Sequence, residues 1–138
     1  MNKFDDMMAF LAARVPGFYQ VVAVDVGFVL FSRAWCVAEL IQANRSGMHQ
    51  VLKVHSHEGM QEKQSQLALL DVSLCEASRP EDKAEIMAKI DDIPAFNVQV
   101  RKLLLDEQNG LLTVCLRRAN GFIGGLGELV AGAILMFV

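Results

Sequence analysis

Two short apolar runs with one amphipathic stretch between them restrict the fold of this chain more than any other feature. Gln20-Val21-Val22-Ala23-Val24-Asp25 is rich in β-branched residues, the pattern of a strand buried on both faces. Gln50-Val51-Leu52-Lys53-Val54 predicts a second strand. Between them Trp35, Ala38, Ile41 and Gln42 or Arg45 follow one another around helical turns, with Ser32 placed to cap the start and Gly47 to stop the end. Strand, helix and strand in that order make a βαβ unit, whose two strands lie parallel in one sheet with the helix on its face.

The flanking segments continue the alternation. Phe4, Met7, Met8, Leu11 and Val15 predict a helix from Phe4 to Val15, ended by Pro16 and Gly17. His55 to Gln66 is polar and non-periodic, a loop or a short exposed helix. Leu70, Val72 and Leu74 alternate with polar neighbours and predict a third strand. Ser78-Arg79-Pro80-Glu81 has the form of a capping box, opening a helix whose apolar face is Ile86, Met87 and Ile90. Asp91-Asp92-Ile93-Pro94 breaks that helix. Phe96, Val100, Leu103 and Leu104 mark another, ending near Asn109-Gly110. Leu111 to Leu116, with Val114, would cover part of an open sheet edge.

Composition removes several function classes. A chain of 138 residues that is 53% hydrophobic can fill one core, which leaves little room for a second domain. The net charge is −3 and the basic residues are scattered, so no nucleic-acid reader is expected. Cys36, Cys75 and Cys115 are odd in number and far apart, unlike a disulfide scaffold or a paired zinc site, and point to a reduced, cytoplasmic setting. Met1 to Arg14 lacks the basic and apolar regions of a signal peptide. There is no P-loop, no G-x-G-x-x-G and no nucleophile elbow.

The most specific stretch is Val21-Val22-Ala23-Val24-Asp25 followed by Phe31-Ser32-Arg33-Ala34-Trp35-Cys36-Val37-Ala38-Glu39-Leu40. A hydrophobic strand, a loop ending in Ser and a helix opening Trp-Cys-x-x-Glu-Leu resembles the middle of a Toll/interleukin-receptor (TIR) domain. Cys75 to Lys83 and Ile93-Pro94-Ala95-Phe96-Asn97 resemble TIR-like proteins of protists and algae. The resemblance covers roughly residues 4 to 112 and implies an α/β fold: a partial flavodoxin-like, mainly parallel sheet flanked by helices. It implies a ligand pocket near the Val26 to Ser32 loop, at the carboxyl end of the first strand. In TIR domains that cleave NAD, the glutamate matching Glu39 is catalytic, stabilising positive charge on the ribose as nicotinamide departs. Ser32 and Trp35 would then help to bind that substrate; no other cofactor and no metal are implied. A complete TIR domain has further strand and loop before the Trp-Cys helix, so the chain corresponds to the carboxyl-terminal part of one. An edge left by that missing portion would favour a protein partner or a homo-oligomer.

Each of these residues also has a plainer reading. Trp35 serves as a core anchor in either case. Glu39 could cap or pair locally, and Cys36 could be a buried inert thiol rather than one activated at a helix start. His49, His55 and His57 read as solvated loop residues, with no third metal ligand at matching spacing. Glu85 and Lys89 stand four apart on an exposed helix face.

Residues 1–118 therefore read as the TIR-like α/β domain and 119–138 as an apolar, glycine-rich tail. Gly121 to Val138 carries one ionisable side chain, Glu128, and is flanked by Arg117 and Arg118. Its length is at the short end of the roughly 17–25 residues of a membrane helix, and a mid-segment carboxylate opposes insertion. The alternatives are a membrane anchor, a buried or mobile tail folded against the sheet edge, and a segment not native to the domain. The leading expectation is an intracellular signalling or protein-interaction module. The others are an NAD glycohydrolase using Glu39 and a small membrane-complex subunit held by 121–138.

Overall fold

The computed structural model describes residues 3–121 and 133–136. The elements are α1 (Lys3–Arg14), β1 (Tyr19–Val24), α2 (Ala34–Arg45), β2 (Gln50–Val54), α3 (Met60–Ala68), α4 (Pro80–Ala88), α5 (Ile93–Leu105), α6 (Leu111–Gly121) and β3 (Ala133–Met136). Single 3-10 turns lie at Val29–Ser32 and Val72–Leu74. The protein is mixed α/β, with a parallel sheet in the order β2-β1-β3.

The βαβ expectation is met. β1 pairs with β2 in parallel, Val22 opposite Leu52, and α2 lies between them in sequence. The inward residues of α2 are Ala34, Val37, Leu40, Ile41 and Ala43, spaced three or four apart as one helical stripe requires. Ala34, Val37, Leu40 and Ile41 join Val22, Val24 and Leu52 of the sheet and Phe96, Val100 and Leu104 of α5 in one core. Burying such a Val, Leu or Phe side chain is worth about 1.5–3 kcal/mol, so this stripe is what holds α2 to the sheet. Arg45 ties the far end of α2 to α5, donating to Gln99 at 2.8 Å, and Gly47 ends the helix at φ 75°.

Two polar side chains lie inside this apolar layer. Gln20 and Gln50 face each other across the β1–β2 ladder, and the Gln50 amide donates to Gln20 Oε1 at 2.7 Å and to the Leu40 carbonyl at 2.9 Å. The pair therefore links both strands to α2.

Four expectations need correction. Leu70 to Leu74 is not a strand: Asp71 caps a 3-10 turn, its Oδ1 accepting from Ser73 N at 2.9 Å and Ser73 Oγ at 2.7 Å. Asn97 Oδ1 takes the Val72 N–H that a ladder would have used. Ser32 does not cap α2; its hydroxyl donates to Val29 O at 2.7 Å, closing the turn before the helix, and Arg33 holds the N-cap position. Ser78 does not cap α4; its oxygen accepts from Arg33 Nη2 at 3.0 Å, and Arg79 precedes the helix. The helix through Phe96 stops at Leu105 rather than near Asn109, because Asp106 accepts the N–H groups of Gln108 and Asn109 and turns the chain.

The His55 to Gln66 segment resolves into a loop and then α3, a short helix. Of the glycine-rich tail, Ala133–Met136 forms β3 alongside β1. The membrane-anchor reading of 121–138 otherwise falls outside the described residues. Among the described residues no helix is long and apolar enough to cross a membrane.

Candidate functional site

Trp35 and Glu39 are one turn apart on α2 and line the same small cleft, which Ile86, Lys89 and Phe96 complete. Lys89 Nζ lies 5.6 Å from the centre of the Trp35 ring while also pairing with Glu85 at 2.7 Å. Trp35 is half-buried and packs against the core. Glu39 is half-buried too and has an interaction of its own within the fold. The cleft measures about 110 Å³. Ligand pockets usually span about 300–1,000 Å³, so this cleft alone is small for a dinucleotide. Glu39 also lines a second pocket, of about 600 Å³, between α2 and Met8, Ala12 and Phe18.

Ser32 is elsewhere. With Lys63 and Asp71 it lines a pocket of about 340 Å³ at the carboxyl end of β1. The loop feeding that pocket is tightly organised: Asp25 Oδ1 accepts Val29 N at 2.9 Å, and Phe28 takes a left-handed conformation at φ 56° with its ring buried. Lys63 Nζ stands 5.7 Å from the centre of that ring. The three residues singled out in the sequence are thus split: Trp35 and Glu39 share one cleft, Glu39 also lines a second pocket, and Ser32 lines a third.

Cys36 and Cys75 are quiet thiols. Burial, then the charge of Glu39, raises the Cys36 thiol; burial pushes Cys75 up to about 11. Both stay protonated at neutral pH, which removes the activated-thiol reading. His49, His55 and His57 are exposed, and among the described residues no group of three His, Cys, Asp or Glu could hold a metal.

A different feature stands out at β2. Gln20 N donates to His49 O at 2.9 Å and His55 N to Val24 O at 3.0 Å, so the odd-numbered residues of this segment turn their backbone groups toward β1. By ladder geometry Gln50, Leu52 and Val54 turn theirs away from it. Among the described residues β2 is an edge strand, with no further strand on that side.

Beyond that edge runs a groove of about 520 Å³. Met48 to Val54 form one side; Leu111, Val114, Cys115 and Arg118 of α6, with Leu103 of α5, form the other. Among the described residues the groove's charged side chains are Lys53 and Arg118, accompanied by His49 and His57, with no carboxylate. That is notable in a chain of net charge −3. The sequence had marked Leu111 to Leu116 as edge cover, and α6 does pack beside β2. What it could not convey was that α6 stands off far enough to leave a channel.

Compared with protein-family models, curated proteins and solved structures, the chain matches none of them.

Proposed function

We propose that this chain is a protein-interaction module of a signalling kind, on a partial flavodoxin-like, TIR-like scaffold, that engages a partner through the open edge of β2. The observation that carries this reading is the groove of about 520 Å³ between β2 and α6. Val54 stands at its margin, while Gln50 and Leu52, 7% and 2% exposed, would meet a strand once α6 moves aside. Such an edge is a template for another strand: main-chain hydrogen bonds supply affinity, and the spaces beside alternate side chains supply selectivity. The TIR kinship itself rests on the Trp35 to Leu40 segment and its neighbours in the sequence.

Peptide selection against the full chain tests the reading. Selected peptides should slow amide exchange at Gln50, Leu52 and Val54. Val54→Pro removes one outward N–H, obstructs the edge and leaves the β1 ladder bonds in place, so it should weaken binding by about tenfold. Binders that leave those three amides exchanging freely, and that tolerate Val54→Pro, would remove the proposal.

A second reading, NAD cleavage using Glu39, draws on the shared cleft of Trp35 and Glu39. Nicotinamide release by the native chain that vanishes in a folded Glu39→Ala variant would support it. Equal background release from both proteins would discard it.

A further inference from the structure

We infer that the pocket at the carboxyl end of β1 binds a small single-chain amphiphile, a medium-length aliphatic tail ending in a carboxylate. The pocket shares no residue with the β2 groove, so the inference stands apart from the edge-pairing reading. Its floor is apolar: Phe28, Phe31, Leu67 and Leu70 line it and are buried. Its rim is apolar too, and wet. Val29, Leu69 and Leu74 line the same pocket at 46%, 80% and 79% exposure. Single exposed apolar residues are ordinary on a protein surface, whereas several converging on one concavity mark a binding site.

The backbone that carries the rim is fixed. Leu69 N donates to Gln66 O at 3.1 Å at the end of α3, and Leu74 N donates to Asp71 O at 3.0 Å. The turn before Leu74 is held from α5 as well, by Asn97 Oδ1 accepting from Val72 N. Both leucines therefore stay at the mouth, where a ligand's tail would cover them.

Lys63 supplies the place for an anionic head. Its Nζ stands 5.7 Å from the centre of the Phe28 ring and 3.5 Å from the Gly27 carbonyl oxygen. That second contact is long for an ammonium, which has three protons to donate. Asp71 is the other charged residue of the lining. Its Oδ1 takes bonds from Ser73 N, Ser73 Oγ and Asn97 Nδ2, and Arg101 adds an opposing charge. The Asp71 charge is thus answered inside the fold, while Lys63 is met by a carbonyl and a ring face. A volume of about 340 Å³ suits one aliphatic chain. A dinucleotide brings two phosphates and two riboses, which this apolar lining is poorly equipped to hold.

Titration of the full chain with hexanoate, octanoate, 1-octanol and octylammonium, followed by NMR of its leucine methyls, tests the inference. Octanoate should shift the Leu69, Leu70 and Leu74 methyls and bind about tenfold more tightly than hexanoate, through two more buried CH₂ groups. It should bind about fivefold more tightly than octanol, through its charged head. Lys63→Met should erase that second gap. The exposed pair Leu69→Asp and Leu74→Asp should abolish binding without moving the urea midpoint. Equal binding of octanoate and octanol to the native chain would overturn the inference. Tightest binding by octylammonium would do the same, by giving the polar role to Asp71. Methyls that none of the four ligands moves would mean that the pocket takes no amphiphile. Methyls moved by NAD or by phosphatidylserine vesicles, but not by octanoate, would replace the occupant and equally sink the inference.

Discussion

Gln50 carries more of the fold's specificity than its place on an edge strand suggests. Only 7% exposed, it donates to Gln20 Oε1 and to the Leu40 carbonyl, while its own Oε1 has no hydrogen-bond partner. Replacement by Leu removes that unpaired acceptor together with the two bonds that Gln50 donates. Since each such bond contributes about 0.5–1.5 kcal/mol, Gln50→Leu should destabilise the protein by about 1–3 kcal/mol. The effect of Gln20→Leu should be smaller in the Gln50→Leu background than in the native chain, because part of its cost is then already incurred. Urea unfolding midpoints of the two single variants and the double variant measure that coupling. Additive effects would mean that the side-chain bond contributes nothing. At this scale the sequence was only partly legible. Ser32 and Ser78 stand where capping residues belong, yet one hydroxyl serves a local turn and the other accepts a bond from Arg33, 45 positions away. A bond that distant leaves no local pattern to read.

At the scale of elements, periodicity located β1, α2 and β2 correctly because each buries one well-defined set of apolar residues. It misled at Leu70 to Leu74 for a related reason. Leu70 and Val72 are buried there as a strand's alternate residues would be, but Leu74 is 79% exposed. The decisive agents are the Asp71 carboxylate and the Asn97 amide, which take the local N–H groups. The α5–α6 connection shows a similar contest, since the apolar pattern continues past Leu105 while Asp106 diverts the backbone. Gly110 completes that turn: a Cβ there would meet Asp106 N at 2.5 Å and the carbonyl oxygens of Leu104 and Asp106 at 2.7 Å. Backbone atoms cannot swing aside, so Gly110→Ala should cost about 1–3 kcal/mol, as overpacking typically does. Thermal unfolding of that variant should show a lower midpoint and loosened α6 amides by hydrogen exchange. An unchanged midpoint would mean that the turn relaxes freely.

For the whole molecule, the same two carboxylates set the response to acid. Hydrogen bonds from the Ser73 hydroxyl, then the Asn97 amide and Ser73 N–H, hold Asp71 below the ordinary carboxylate range. The N–H groups of Asn109 and Gln108 do the same for Asp106. A carboxyl whose native pKa is depressed adds stability that is complete above its unfolded value of about 3.9 and is lost as pH falls through the lower native one. The protein should therefore lose stability progressively below about pH 4. An Asp71→Ala and Asp106→Ala double variant should show a flatter acid limb, checked by urea midpoints at several pH values. A limb as steep as the native one would assign the acid response to other groups. The α/β layering was legible from the order of apolar runs, whereas the groove was not, since its width depends on how α6 sits beside β2.

The central strand gains its two flanks from very different parts of the chain: β2 follows it closely, but Tyr19 of β1 pairs with Ala133. On a ribosome adding about 5–20 residues per second, the interval between making those two partners is about 4–16 s. Throughout that delay one side of β1 lacks its β3 partner in the nascent chain, so that contact must wait until Ala133–Met136 has emerged.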